Sequence, residues 1–175
     1  MSMESYIVNG YGFPVETVKG YDILKFLKNH ATEEKFSRLW SNGEELFDAV
    51  KNINLDDFEY MRDRYFYELD TDEPAAEKLI DALSLTSDNP EEPKDIIAAI
   101  IEDELDGIEI TYEPGQSEEC RGCASILLRS GLPWQFTDAE KRLTEDSFRN
   151  LLAPYAEELG VDTAQIGELE IEYFG

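Results

Sequence analysis

The chain has 175 residues, 42% of them hydrophobic, with nine Tyr, nine Phe and two Trp, and it sets 40 acidic residues against 15 basic ones for a formal charge of −25. Such aromatic content separates it from disordered acidic tails, its length suits one domain, and a pI near 4.1 argues against a broad surface for nucleic acid or anionic lipid and favours a basic partner. No apolar run approaches the roughly 20 residues that cross a bilayer, and MSMESYIVNGYGF lacks the basic and apolar regions of a signal peptide, so a cytoplasmic protein is expected.

In chain order, Ser5 to Val8 reads as a short strand ending in a turn at Asn9-Gly10-Tyr11-Gly12-Phe13-Pro14. Two glycines around an aromatic permit a tight turn, and Pro14 forbids further ladder pairing. No GxGxxG or GK[ST] is present, so this is not a phosphate loop. Tyr21, Leu24 and Leu27, with Ile23 and Phe26 alongside, predict an amphipathic helix from about Thr17 to Asn29. Thr32 caps a second helix with Phe36, Leu39 and Trp40 on its apolar stripe, and Glu33 and Glu34 favour its dipole. Asn42-Gly43 breaks that helix, and Leu46, Phe47 and Val50 mark a third. His30, the only histidine, sits at a helix end as a solvated charge.

From Asn54 to Glu119 the chain holds 22 of the 40 acidic residues and only Arg62, Arg64, Lys78 and Lys94 as basic ones, a formal charge of −18. Salt adaptation would spread acid evenly, and this is clustered. Leu55, Phe58, Arg62 and Tyr65 predict one face of a helix, and Asp56, Glu59 and Asp63 another. Asp70-Thr71-Asp72-Glu73 turns the chain, and Pro74 opens the next helix, with Glu77 and Asp81 outward and Leu79, Ile80 and Leu83 inward. Ser87 to Pro93 is a loop by composition. The helix from Lys94 to about Leu105 buries Ile96, Ile97, Ile100, Ile101 and Leu105, and Gly107 ends it. Its carboxylates Glu102, Asp103, Glu104 and Asp106 oppose the helix dipole, which suggests that they serve a partner.

Strand patterns then return. Ile108, Ile110 and Tyr112 alternate with Glu109, Thr111 and Glu113, and Ala124 to Leu128 is an apolar run, together a predicted hairpin. Thr137-Asp138-Ala139-Glu140 and Thr144-Glu145-Asp146-Ser147 read as helix starts. Phe148, Leu151, Leu152, Tyr155 and Leu159 give a helix that Gly160 stops, and Leu169, Ile171 and Tyr173 give a last strand. The expected fold is α+β in a single domain 1–175: a small, mainly antiparallel sheet from both chain ends, with an acidic helical block at 54–106 inserted between the strands.

Little in the chain speaks for catalysis. Cys120 and Cys123 form one C-x-x-C, and a structural zinc site wants four ligands. The pair precedes a strand, unlike a thioredoxin motif, so ordinary thiols are expected, with a zinc shared across a dimer as the alternative. No D-x-[DN]-x-[DN]-G calcium loop occurs, and Ser–His and Cys–His nucleophile schemes would both rest on His30. No metal and no cofactor is expected, and no enzyme.

Negative charge is what remains. Carboxylates three or four residues apart on an α-helix are about 5–6 Å apart, a spacing suited to imitating a phosphate row against a basic groove. The partner-binding candidates are Asp56, Asp57, Glu59, Asp63, Asp70, Asp72, Glu73, Glu102, Asp103 and Asp106. The rival readings are a carboxylate- or metal-dependent enzyme, an accessory protein that binds through aromatic surface, and a face that only keeps the protein in solution.

Gly10-Tyr11-Gly12-Phe13, Leu132-Pro133-Trp134-Gln135-Phe136-Thr137, Pro154-Tyr155-Ala156-Glu157-Glu158-Leu159-Gly160 and Glu172-Tyr173-Phe174-Gly175 resemble stretches of small proteins carried by phages and mobile elements of Gram-positive bacteria. Small acidic proteins of that origin include anti-CRISPR inhibitors and other DNA mimics. The resemblance implies an inhibitor class and carries over no individual functional residue; with the acidic block, the expected target is the target-DNA or PAM-reading groove of an RNA-guided nuclease.

Overall fold

In a computed structural model, residues 5–106, 108–114, 125–128, 138 and 144–174 are described. The elements are β1 (Ser5–Pro14), α1 (Gly20–His30), α2 (Glu33–Leu39), α3 (Gly43–Lys51), 3-10 helices at Leu55–Asp63 and Phe66–Glu68, α4 (Pro74–Ser84), α5 (Lys94–Glu104), β2 (Ile110–Glu113), β3 (Ser125–Leu128), α6 (Glu145–Glu158), a 3-10 turn at Thr163–Gln165, and β4 (Gly167–Phe174). The fold is α+β. The chain gathers into two compact units, Met1–Thr17 with Ile101–Gly175, and Val18–Ile100. The division thus falls at Val18 and Ile100, whereas the acidic block was drawn at 54–106.

The first unit holds the four-stranded sheet, in the order β2-β3-β1-β4, and every pairing in it is antiparallel. The turn expected at Asn9–Pro14 is instead strand. β1 runs on because it is paired on both sides, Gly10 and Gly12 opposite Leu169 and Gly167 of β4, and Tyr11 to Pro14 opposite Leu128 to Ser125 of β3. Ladder bonds to segments more than a hundred residues away outweigh the local preference of two glycines for a turn. Pro14, which has no N–H to donate, is tolerated as the last strand residue. On this sheet lies α6, where the Tyr11 and Phe148 rings are 5.9 Å apart. Thr144 caps α6 by accepting from Ser147 N. Gly160 stops it at φ 76°, with Val161 N donating to Ala156 O and Gly160 N to Glu157 O. That crossed pair is the glycine-terminated helix end for which a left-handed residue is needed.

The second unit is helical. Burial of Ile23, Leu24, Phe26 and Leu27 confirms the predicted apolar face of α1, which packs on the first 3-10 helix and on α3. Thr32 accepts from Lys35 N at 3.2 Å, as its capping position requires. His30 ends α1 stacked on Phe26 at 4.2 Å, half-buried rather than fully solvated. α2 turns into α3 at very close range: Trp40 O accepts from Gly43 N at 3.0 Å. Pro74 opens α4 and Leu79 and Leu83 are fully buried, as expected. At the start of α5 the nearly buried Lys94 lies 3.5 Å from Glu92, an ion pair without hydrogen-bond geometry.

Gly107, Cys120, Cys123 and Ala124 lie outside the described residues, as does the helix start predicted at 137–140 apart from Asp138.

Candidate functional site

The segment expected to be an α-helix with an acidic row is a 3-10 helix, kinked at Phe58 (φ −111°, ψ 18°). Asp, Phe and Tyr are all poor α-formers, and they make up four of the six residues from Asp56 to Met61. Asn54 caps it through a 3.2 Å bond from Asp56 N. Burial decides the rest. Phe58 and Met61 are fully buried and Leu55 is half-buried, so the inward column repeats every three residues. That is the 3-10 period.

This period regroups the outward side chains. With about three residues per turn, Asp56, Glu59 and Arg62 share one column, and Asp57, Tyr60 and Asp63 share the other. Asp56, Glu59 and Asp63 therefore do not form the single row that an α-helix would have made, and Arg62 leaves the face it was expected to share with Leu55 and Phe58.

Arg62 has a definite role instead. Its guanidinium donates to both Glu59 oxygens, at 2.6 and 3.0 Å, and lies 3.9 Å from the centre of the Tyr21 ring. The hydrogen bonds from Arg62 hold the Glu59 carboxyl below the usual carboxylate range, and the same bonds raise the guanidinium. Burial pushes the nearby Asp22 carboxyl up, with Lys25 and Arg62 opposing it. Because the folded Glu59 titrates low, the pair adds stability above the ordinary carboxylate range and loses it as pH falls through the folded value. Arg62→Ala is expected to return the Glu59 titration to the ordinary range, read by carbon-detected NMR. An unmoved titration would mean that another group holds it down.

Beyond Asp63 the chain is tied down by its own polar groups. Arg64 O accepts from Gly20 N at 2.7 Å. Glu68 accepts from Tyr65 N at 2.9 Å, Tyr60 Oη from Asp70 N at 3.2 Å, and the Asp70 carboxylate from Asp72 N at 3.0 Å. Asp72 and Glu73 then stand just ahead of α4, where its dipole favours negative charge. Of the predicted partner-binding residues, Asp56, Asp57, Glu59, Asp63, Asp70, Asp72 and Glu73 all lie exposed in the helical unit. Asp56, Asp57, Asp63, Asp72 and Glu73 make no ion pair among the described residues. A stretch with fixed backbone and unpaired carboxylates presents its charge at little further ordering cost.

Glu102, Asp103 and Asp106 belong to the other unit. Glu102 and Asp106 are exposed and Asp103 is half-buried. The Glu102 carboxylate accepts from Ile110 N at 3.2 Å. It thereby satisfies the first backbone donor of β2, a structural use for a charge that opposes its helix dipole.

Sequence reasoning missed the cations laid on tyrosine rings: Arg62 on Tyr21, Lys19 4.0 Å from the Tyr65 centre, and Arg64 5.7 Å from that of Tyr60. The only clue was that Arg62 and Arg64 are interleaved with Tyr60, Tyr65 and Tyr67. Among the described residues no three His, Cys, Asp or Glu side chains gather to hold a metal, and no helix is long and apolar enough to cross a membrane. No protein-family model, no curated protein and no solved structure matches the chain.

Proposed function

We propose that this chain is a non-enzymatic acidic inhibitor that binds a basic nucleic-acid-handling protein in the cytoplasm of a bacterial cell. An RNA-guided CRISPR nuclease is the partner to test first, at the groove that reads target duplex or PAM. The observation that supports this most is the set of exposed carboxylates between Asp56 and Glu73, held on a fixed backbone and largely without ion pairs. The 3-10 geometry changes the mechanism. The column that holds Asp56 and Glu59 is completed by a cation, Arg62, and the other sets Tyr60 between Asp57 and Asp63, so neither is an unbroken row of anions. The surface then acts as a concentrated negative field that competes for the basic groove, rather than as a phosphate-by-phosphate copy.

Salt provides the test. Raising ionic strength from about 0.1 M to about 1 M shortens the screening length from roughly 10 Å to roughly 3 Å. Affinity for the nuclease, measured by calorimetry without DNA, is expected to fall steeply over that range, and target duplex is expected to compete. A salt-independent affinity would replace the charge-steered mechanism with an apolar interface.

A further inference from the structure

In the segment around the first 3-10 helix, tyrosine rings are repeatedly paired with cations of this same chain. Tyr21 carries Arg62, Tyr65 carries Lys19, and Tyr60 carries Arg64. Tyr67 does not. Its ring stacks on Tyr65 with centroids 5.8 Å apart and planes 15° apart, it is 60% exposed, and no cation lies over it among the described residues. Its chain neighbours include Glu68 and Asp70, both exposed. A large aromatic side chain left open on a strongly acidic surface has an obvious complement. A ring face attracts a cation, and a planar guanidinium adds stacking to that attraction, which a compact ammonium does not. The Glu59–Arg62–Tyr21 group shows the arrangement inside this protein, a guanidinium laid on tyrosine and forked by a carboxylate.

We infer that Tyr67 is the anchor of the partner-binding surface, and that an arginine side chain of the basic partner stacks on its open face. The inference rests on the acidic-inhibitor reading for the identity of the partner, but the chemistry is separable from it. Carboxylates supply long-range attraction that any cation feels, whereas an aromatic anchor selects arginine and fixes position. Tyrosine and arginine are among the residue types at which the affinity of protein interfaces concentrates.

The test uses the full chain and two end-blocked peptides of equal charge, tri-arginine and tri-lysine, followed by NMR titration. Tri-arginine is expected to bind more tightly than tri-lysine and to move the Tyr67 ring signals. Tyr67→Phe should keep that preference. Tyr67→Ala and Tyr67→Leu should each lose about tenfold in tri-arginine affinity, or about 1.4 kcal/mol, and lose the preference over tri-lysine. Leucine retains apolar bulk without a ring face, so its loss separates stacking from burial. Unchanged tri-arginine binding by the Leu or Ala variant overturns the proposal, as does equal binding of the two peptides by the unaltered chain. Neither of those results touches the inhibitor reading, which fails only if the protein leaves nuclease activity unaffected.

Discussion

Asp56→Asn, Asp57→Asn and Asp63→Asn together are expected to raise the concentration needed for half-maximal inhibition of DNA cleavage by at least about tenfold. All three are exposed and make no ion pair among the described residues. Close charge pairs at steered interfaces couple by roughly 1.5–7 kcal/mol, so one lost pair suffices for about a tenfold change. Glu59 is left intact because its carboxylate holds Arg62, and neutralising it would release a cation as well as remove an anion. The matched control is Glu33→Gln, Glu157→Gln and Glu168→Gln, also exposed and equal in charge. It is expected to inhibit as the unaltered chain does. The melting temperature of the first variant should hold or rise, since removing like charges relieves self-repulsion. Equal inhibition by both variants would leave only net charge as the active property and end the case for a localised surface.

The elements legible in the sequence are those fixed by neighbours in the chain. Thr32 caps α2 and Gly160 closes α6 through groups three to five residues away. Pro74 opens α4 because its ring suits a first helical position. The apolar stripe of α1 is a local period of the same sort. The errors share the opposite cause. Residues 9–14 have the composition of a turn, and become strand only because β3 and β4 arrive from the far end of the chain. The acidic segment is compatible with an α-helical period, and becomes a 3-10 helix as Leu55, Phe58 and Met61 turn inward.

That second error bears directly on the candidate site. The acidic composition of residues 54–73 was readable, and so was its exposure, because a charge without a partner stays in water. Which carboxylates share a column was not readable, because it depends on whether the chain advances by three or by 3.6 residues per turn. A shift of that size takes Arg62 off the face expected to hold Leu55 and Phe58, and puts Asp63 in a different column from Glu59. It also makes the aromatic residues part of the surface: Tyr60 and Tyr67 are both exposed, amid the acids rather than beneath them.

Gly43→Ala should be the most damaging single-methyl change in the helical unit. Gly43 is the first residue of α3, and a Cβ there would overlap the Phe36 carbonyl of α2 and stand 2.8 Å from Ser37 N. Those atoms are backbone, so no side-chain rotation relieves the overlap, and α2 and α3 must separate. Separation would disturb a packed layer: Phe36 is fully buried, with the Trp40 ring 5.2 Å away and the Phe47 ring 6.4 Å away, both edge-on. Overpacking of a tight core costs about 1–3 kcal/mol and more where backbone must move, so a loss of about 3 kcal/mol is expected. At roughly 2–4 °C per kcal/mol for a chain of this size, the melting temperature should fall by about 6–12 °C. Gly167→Ala provides the contrast, since a Cβ there meets nothing within 4 Å, and it should be neutral or slightly stabilising through a less flexible unfolded chain. Calorimetry of both variants decides the matter. Equal melting temperatures would show that Gly43 is not held against the Phe36 carbonyl as closely as the structure has it.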